Sequence, residues 1–223
     1  GETPHMGKLS AYYKGDPEWI SLWKYNYISG DGSGAGGQWT DLSANIPFDG
    51  SQFGNFNCQG GYDLIVRVHP SQPNVVFIGG TNLYRSTDGF TTVNNTQLIG
   101  GYDPLSTIPN YGNYPNHHSD QHGIFFVPSN PSVMYQTNDG GIFKTSDCLS
   151  SNVVWQDLNL TYETGQFYTV TLDHGTAGDD QIMGGVQDNG TWLTNTLNVS
   201  QPWWHVGMGD GAYCAIDNGH QFY

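Results

Sequence analysis

One stretch of the sequence, residues 63–93, contains a complete succession of short strands and turns. Alternating residues over 63–69 predict a strand, and the apolar run 75–78 predicts a second, buried one. A short aromatic strand over 83–86 follows, and a fourth strand is predicted to begin at 91. Four short strands within about 30 residues describe one antiparallel sheet, so this unit favours an all-β architecture built by repetition.

The same succession of strands recurs twice further along the chain. In the second copy a strand from 122 leads through a Pro/Asn turn to a strand over 133–135, and an aromatic strand over 142–145 follows. The third copy is looser and starts near 167. Because the spacing between copies drifts, it matches propeller blades with loop insertions better than a solenoid of fixed pitch. The sequence therefore predicts a β-propeller of four-stranded antiparallel blades, about half of a seven- or eight-bladed ring.

The predicted organisation is one propeller domain over residues 1–223. Its parts are blade remnants over 1–43, blades over 62–97, 118–158 and 166–206, and the start of a next blade over 210–223. Residues 98–117 are interpreted as a long insertion before an inner strand. Because both ends fall inside blades, we expect the rest of the propeller, or a partner chain, to complete the ring.

Two segments resemble Asp-boxes (BNR repeats), whose pattern is Ser-x-Asp-x-Gly-x-Thr-Trp. The first contains Ser86, Asp88 and Gly89, with a valine in place of the tryptophan. The second contains Asp147 and Trp155, is stretched by an insertion and lacks the glycine. The resemblance implies that the aspartates accept backbone N–H bonds in turns on the outer rim of a propeller, so these five residues are predicted to be structural.

Five further segments are similar to large secreted bacterial proteins of the sortilin-like, glycosyl-hydrolase-like BNR group. They lie at 61–64, 118–122, 138–141, 185–190 and 209–211. The resemblance covers nearly the whole chain from about Ile20 onward. It implies a propeller fold and a secreted or cell-surface location.

Four aspartates stand at corresponding points of successive units: Asp120, Asp139, Asp188 and Asp210. Each also stands in or next to a turn-forming sequence, so a structural role in the turn is the simpler interpretation. In a propeller, however, equivalent positions of successive blades converge on one face. An acidic ring at that face would hold Ca²⁺ or present a catalytic carboxylate pair to a glycosidic bond.

The segment containing His118, Asp120 and His122 offers a second metal-binding hypothesis. Residues two apart on a strand share a face, so the two imidazoles and the carboxylate would point the same way and bind a divalent metal. Two alternatives are favoured over this hypothesis. The strand begins only at His122, or the side chains hydrogen-bond neighbouring blades around the channel.

The predicted insertion is rich in tyrosine. Tyr102, Tyr111 and Tyr114 would stack on sugar rings if the loop shapes a binding face, and with His118 and His122 they are the predicted ligand-binding residues. The alternative is that the three rings pack the loop against itself.

Composition narrows the range of functions. The formal net charge is −14 and the pI is about 4.5, which disfavours nucleic acid as a partner and tolerates cations such as Ca²⁺. No apolar run is long enough to span a membrane. Cys58, Cys148 and Cys214 lack the spacing of a zinc site, and the sequence leaves their disulfide state open.

Three functions remain after these exclusions. The leading hypothesis is a secreted or cell-surface propeller module that binds glycan or protein partners. The alternatives are a glycoside hydrolase that uses two of the four channel-face aspartates and a purely structural part of a larger secreted protein. The sequence shows no complete catalytic constellation. A sialidase is disfavoured because the only arginines are Arg67 and Arg85, too few for a cluster that binds the substrate carboxylate.

Overall fold

The computed structural model describes residues 20–48, 51, 53–107, 110–160, 165–175, 177–178, 180–218 and 220–223. Strands dominate, and the helices within these ranges are three short 3₁₀ turns, at Gly34–Gly36, Ser43–Asn45 and Gln59–Gly61. None of these helices has the length and apolar character needed to cross a bilayer. Residues 1–19, the first part of the predicted blade remnants, lie outside the described residues.

The strands form three sheets of four strands and two hairpins. The first hairpin is β1 (Trp23–Tyr27) and β2 (Gly37–Asp41). The first four-stranded sheet contains β3 (Ile65–His69), β4 (Gln72–Gly79), β5 (Leu83–Ser86) and β6 (Thr96–Gly100). The second contains β7 (Gln121–Val127), β8 (Asn130–Asn138), β9 (Gly141–Thr145) and β10 (Trp155–Asp157). The third contains β11 (Phe167–Leu172), β12 (Ile182–Val186), β13 (Gly190–Thr194) and β14 (Trp204–Gly207), and the last hairpin is β15 (Ala215–Asp217) and β16 (His220–Phe222).

Each four-stranded sheet is an antiparallel meander, in which every strand pairs with the strand that follows it in sequence. The predicted all-β class and the predicted four-stranded antiparallel sheets are confirmed. The chain divides into two compact units, residues 1–159 and 160–223. The first unit contains the first two sheets, and the second contains the third sheet and the last hairpin.

The predicted start of the fourth strand, at 91, is wrong. The strand begins at Thr96, and the insertion therefore begins after Gly100 rather than at 98. The reason is the turn before it. Thr87 donates a backbone hydrogen bond to the Asn95 carbonyl at 3.0 Å, which closes a loop over residues 87–95 before the strand can pair. The last strand of the second sheet begins at Trp155.

Asp88 organises this loop through its carboxylate. It accepts hydrogen bonds from the Thr92 backbone N–H at 3.1 Å and from Asn95 Nδ2 at 2.9 Å, and Ser86 Oγ donates to it at 2.8 Å. Burial raises the pKa of Asp88, but the hydrogen bonds from Asn95, Thr92 and Ser86 outweigh it and hold the pKa below its usual range. Gly89, predicted as part of the motif, stands one residue before the glycine position of the pattern, which falls on Phe90 instead; Phe90 is fully buried and has φ 61°.

The core of the first unit lies between its two four-stranded sheets. Phe77 and Leu83 of the first sheet share one buried cluster with Ile124 and Met134 of the second. Trp155 is also buried there, and its indole N–H donates to the Ile99 carbonyl of the first sheet at 2.6 Å. Apolar burial and this hydrogen bond together hold the two sheets face to face.

The other face of the first sheet packs against chain that precedes it. Ile78, Tyr84 and Phe90 form a second buried cluster with residues of the preceding chain, namely Ile20, Leu42, Ile46, Phe56 and Cys58. Both faces of the sheet are therefore covered at β5, whereas most of β3 is exposed. The second unit has a smaller core of its own, in which Met183 and Leu193 pack against Ile216 of the last hairpin.

A pair of glycines lets the two sheets of the first unit approach at their edge. A Cβ on Gly79 would lie 2.7 Å from Gln121 Cβ, and one on Gly80 would lie 1.9 Å from the Asn57 carbonyl oxygen. At this close approach, the Gln121 backbone N–H donates a hydrogen bond to the Gly80 carbonyl at 2.8 Å, and the Asp120 backbone N–H donates one to the Thr81 carbonyl at 3.0 Å. The start of β7 is thereby fixed to the β4–β5 turn.

The three cysteines are free thiols. Cys58 and Cys148 are buried, and Cys214 is half-buried. Burial, helped by the charge of Asp147, raises the pKa of Cys148 to about 11. The Cys148 thiol is therefore protonated and unreactive at neutral pH.

Replacing Gly80 by alanine should destabilise the first unit by about 2–3 kcal/mol or more, because the new Cβ would overlap a backbone oxygen that cannot move without breaking the junction. Gly112→Ala is the matched control, because nothing lies within 4 Å of its Cβ position. Urea unfolding of both variants measures the difference. Equal midpoints for Gly80→Ala and the native protein would contradict the close-approach argument.

Acidification should destabilise the protein through His117. Burial, with a smaller effect from His118, lowers the pKa of this ring to about 3, while the unfolded chain has the ordinary value near 6.5. Since only the unfolded chain takes up the proton between these values, stability is retained above about pH 6.5 and falls as the pH drops toward 3. The expected loss from pH 7.5 to pH 5 is about 2 kcal/mol.

Unfolding of His117→Phe at both pH values tests this expectation. The variant loses the acceptor for the Gly101 backbone N–H, now 3.1 Å from His117 Nδ1, so it should be less stable at both pH values. Its stability should nevertheless change less with pH than that of the native protein. The exposed His174 offers a control, His174→Phe, which should keep the native slope. A slope for His117→Phe as steep as the native one would assign the acid sensitivity to other groups.

Candidate functional site

The candidate site lies at the edge of the first unit where two sheets begin. Asp63 precedes β3 by two residues, Asp120 immediately precedes β7, and Asp139 occupies the β8–β9 turn. The register pairs Gln121 with Asn138. The residue before β7 and the residue after β8 therefore lie at the same end of the sheet, which is the edge meant below. A carboxylate oxygen of Asp120 and one of Asp139 lie within 4.8 Å of each other.

Asp120 is held in a buried and restrained position. It has φ 63°, in the left-handed region that few side chains adopt, and only 3% of its surface is exposed. Its carboxylate accepts hydrogen bonds from Gln59 Nε2 at 3.1 Å and Ser119 Oγ at 3.0 Å. Burial raises the pKa of Asp120, and the nearby charge of Asp139 raises it further against the opposing effect of Ser119.

Asp63 provides a third carboxyl group on the buried side. The residue is fully buried, and a hydrogen bond from its side chain favours the ionised form of Asp120 and so lowers the pKa of that group. Asp63 therefore partly opposes the effect of burial on the pKa of Asp120.

Asp139 is the more accessible member of the pair. Its carboxylate accepts hydrogen bonds from the Tyr62 hydroxyl at 3.3 Å to each oxygen, and His122 Nε2 lies 2.5 Å from Oδ1. The side chain of Asp139 is 11% exposed and that of His122 is 34% exposed. The Tyr62 and His122 rings meet edge to face at 5.1 Å. Tyr62 and His122 thus contact the Asp139 carboxylate on the side that faces solvent.

A ladder of buried amides fixes the loop that carries Asp120. Gln121 Nε2 and Asn138 Nδ2 each donate to the His118 carbonyl at 3.0 Å. Gln136 links the two amides: it donates to Gln121 Oε1 and accepts from Asn138 Nδ2. Because these amides are buried and satisfied, the loop has little freedom to move the carboxylate.

The alternation argument for a metal site at His118, Asp120 and His122 does not apply, because the strand begins at Gln121 and Asp120 has a left-handed backbone. His118 Nδ1 lies 3.2 Å from the Ser119 carbonyl, while His122 contacts Asp139. The assignment of these three residues to a metal, like that of the histidines to a ligand, stays a prediction.

In the second unit, Asp188 and Asp210 occupy corresponding sequence positions. Asp188 lies in the β12–β13 turn with φ 59°, and Asp210 precedes β15. The Asp188 backbone N–H donates to Asp210 Oδ1 at 3.2 Å. The catalytic role predicted for these two aspartates also stays a prediction.

The three tyrosines of the insertion pack within the protein. Tyr102 contacts the rings of Phe53 and Tyr111, at centroid distances of 5.0 and 5.9 Å. The Tyr114 hydroxyl donates to the Val153 carbonyl at 2.8 Å. All three tyrosines are half-buried, which is the arrangement of a loop packed on itself. Their role in ligand binding remains a prediction.

Sequence reasoning missed Gln59, Tyr62 and Asp63 as site residues. A positional signal was present: residues 59–63 precede the first strand of one sheet, as residues 118–120 precede the first strand of the next. Segments at corresponding points of a repeat meet at corresponding places in the fold. The sequence by itself did not show that the two segments lie close enough for Gln59 and Asp63 to hydrogen-bond Asp120.

Comparisons with known proteins add little to this description. No family model and no curated protein match the chain. A crystal structure of an ancestral GH74 enzyme is similar to it, with 13% sequence identity and a TM-score of 0.24, over 79% of this chain and 30% of that one. The chain therefore spans less than a third of the length of that enzyme structure, and a likeness at this TM-score assigns neither fold nor activity.

The described residues define an all-β protein of four-stranded antiparallel sheets with a carboxylate pair at one sheet edge. In that pair, Asp120 is buried and has a raised pKa, whereas Asp139 lies nearer the surface and accepts a hydrogen bond from Tyr62. Such an arrangement can hold a proton on one group and a negative charge on the other.

Replacing Asp139 by asparagine should lower the pKa of Asp120, because the substitution removes a neighbouring negative charge without changing the size of the side chain. Ser119→Ala should move the same pKa in the opposite direction, since it removes a hydrogen bond that favours the ionised carboxylate. Titration of the labelled carboxyl carbon by NMR measures both shifts. An unchanged Asp120 pKa in Asp139→Asn would show that the two groups are uncoupled.

Proposed function

We propose that this chain is a section of a β-propeller that acts as a glycoside hydrolase, with Asp120 and Asp139 as its two carboxyl groups. The observation that carries the proposal is the proximity of one buried carboxyl group with a raised pKa to a second carboxylate that is less deeply buried. Glycosidic bonds are hydrolysed by a carboxyl pair with divided roles, an acid and a nucleophile or base.

The environments of the two groups support a division of roles between them. Asp120 is the acid, because burial favours its protonated form and so keeps a proton available for the leaving oxygen. Asp139 is the nucleophile, because its carboxylate accepts hydrogen bonds from Tyr62 and lies beside the exposed His122. One oxygen of each group lies within 4.8 Å of the other, which is closer to the carboxyl separation of about 5–5.5 Å in retaining glycosidases than to the about 6.5–9.5 Å of inverting ones.

The reaction then has two steps. Asp120 transfers its proton to the glycosidic oxygen as an Asp139 oxygen bonds to the anomeric carbon, and the alcohol leaves. Water next attacks the anomeric carbon, Asp120 takes back a proton, and the bond to Asp139 breaks. The product keeps the anomeric configuration of the substrate.

The propeller and its setting belong to the same proposal. Each four-stranded meander has the strand number and order of a propeller blade, and the three follow one another in sequence. We propose that they are blades of a larger ring in a secreted or cell-surface protein of the sortilin-like BNR group, completed by further blades or by a partner chain. The Asp-box turn around Asp88 and the resemblance of the sequence support this placement.

Calcium at the same carboxylates is the competing arrangement. Oxygen ligands suit Ca²⁺, and the oxygens of Asp120 and Asp139 are close enough to contact one ion. A bound cation would displace the proton from Asp120, so the acid–nucleophile pair and the calcium site exclude each other. Hydrolysis should therefore persist in EDTA and fall when CaCl₂ is added.

Hydrolysis of a panel of oligosaccharides tests the proposal directly. Asp139→Asn should lower kcat by at least about 10⁴-fold, because the nucleophile is lost, and Asp120→Asn by about 10²–10⁴-fold, because the acid is lost. Asp217→Asn is the control, an exposed aspartate of the last hairpin that should leave kcat unchanged. Product analysis by NMR should show retention of configuration at the anomeric carbon.

Two results would contradict the proposal. One is the absence of hydrolysis across the panel by the native chain. The other is a substrate that Asp120→Asn and Asp139→Asn cleave as fast as the native chain does. The pH profile adds a third check, because native activity should fall as the pH rises through the pKa of Asp120, where the acid loses its proton.

A further inference from the structure

Tyr62 is an exposed aromatic residue that contacts the carboxylate of Asp139. It is 59% exposed, yet its hydroxyl is anchored to both oxygens of Asp139 at 3.3 Å and its ring meets His122 edge to face at 5.1 Å. Two sides of the ring are therefore fixed by contacts while a large part of its surface meets solvent. The exposed part of the ring can therefore contact a ligand that lies beside Asp139.

The chain offers a comparison with another exposed tyrosine. Tyr27 in the first hairpin is 61% exposed, and its hydroxyl also has an anchor, the Gly30 carbonyl at 3.0 Å. Tyr27 has the same exposure and a similar restraint, but its hydroxyl is bound within its own turn. Tyr62 differs from it in touching the carboxylate that the proposed reaction uses.

We propose that Tyr62, flanked by His122, is the platform on which one sugar ring of a neutral glycan stacks beside Asp139. This inference rests on the proposed function, and it names the substrate class and the residue that binds it. The apolar face of a pyranose ring covers an aromatic face, while its hydroxyl groups hydrogen-bond carboxylates and imidazoles around it. The hydroxyl contact of Tyr62 places the stacked sugar within one ring of the Asp139 oxygens.

The charge of the site selects the substrate class. Asp63, Asp120 and Asp139 gather three carboxyl groups at this edge, and the formal net charge of the chain is −14. Of the two arginines, Arg85 is buried and donates to the Cys148 and Ser150 carbonyls at 2.6 and 2.8 Å, away from this edge. A uronic or sialic acid would meet repulsion that a neutral sugar avoids.

The experiment measures binding and hydrolysis separately. Native protein, Tyr62→Ala, Tyr62→Phe and the control Tyr27→Ala are titrated by calorimetry with neutral hexasaccharides of glucose, mannose and N-acetylglucosamine, and with hexagalacturonate. The same sugars are used as substrates, and kcat and KM are determined for each variant. Circular dichroism establishes that each variant is folded.

The expected result is a KM and a Kd at least about tenfold higher for Tyr62→Ala, with a smaller change in kcat. Tyr62→Phe keeps the ring face, so its Kd should stay within about twofold of the native value. Its kcat should fall moderately, because Asp139 loses the hydroxyl contact. Tyr27→Ala should bind and hydrolyse as the native chain does, and hexagalacturonate should bind to none of the four proteins.

Several results would overturn the platform. They are a native chain that binds none of the neutral sugars, a Tyr62→Ala variant that binds as the native chain does, a loss equally large in Tyr27→Ala, and tighter binding of hexagalacturonate than of the neutral sugars. These outcomes are distinguishable from failure of the proposed function. If Asp139→Asn abolishes hydrolysis while Tyr62→Ala keeps its KM, the proposed hydrolase activity is supported and the sugar-binding role of Tyr62 is contradicted. If a neutral sugar binds through Tyr62 but is never cleaved, the sugar-binding role of Tyr62 is supported and the proposed hydrolase activity is contradicted.

Discussion

The close approach of backbone to backbone at the edge of the first unit is the constraint on which the site depends. Gly79 and Gly80 have no side chain, so the start of β7 can dock on the β4–β5 turn with hydrogen bonds of 2.8 and 3.0 Å. Similar contacts recur in the second unit. There, a Cβ on Gly211 would lie 2.0 Å from the Gly190 carbonyl, and Gly211 donates to the Val186 carbonyl at 3.0 Å. Each such junction lets main-chain polar groups satisfy one another where side chains would hold them apart.

This junction also determines the chemistry of the carboxylates. Docking buries the residue that precedes the strand, so Asp120 is 3% exposed and its pKa is raised. The turn that carries Asp139 lies further out, where Tyr62 and His122 contact it. The same residue type therefore has two environments a few ångströms apart. That difference, more than the number of aspartates, makes an acid–nucleophile assignment possible.

Backbone strain distinguishes the two conspicuous aspartates of the first unit. Asp88 has an ordinary backbone, and the left-handed positions of its turn are Gly89 and Phe90, with φ of 68° and 61°. Burial of the Phe90 ring in the apolar cluster with Ile78 and Tyr84 compensates for its conformation. Asp120 carries the left-handed conformation itself, at 63°, and is held there by hydrogen bonds rather than by apolar packing. The two aspartates therefore differ in the source of their restraint, which is a local turn for Asp88 and hydrogen bonds from Gln59 and Ser119 for Asp120.

Local pattern and composition by themselves determined the all-β class, the four-stranded antiparallel sheets and the strand at Leu83–Ser86, because alternation and turn residues act over a few neighbours. Local pattern failed at Thr96, where the backbone hydrogen bond between Thr87 and Asn95 closes the loop and delays the strand. The sequence also nominated Asp120 and Asp139, since both stand at recurring points of the repeat. Only the tertiary structure decided that Asp120 is buried, that Tyr62 and Asp63 join it, and that Tyr102 and Tyr111 pack on their own loop. The reason is physical: pKa, burial and hydrogen-bond partners depend on atoms brought together from distant parts of the chain, and no local pattern encodes those distances.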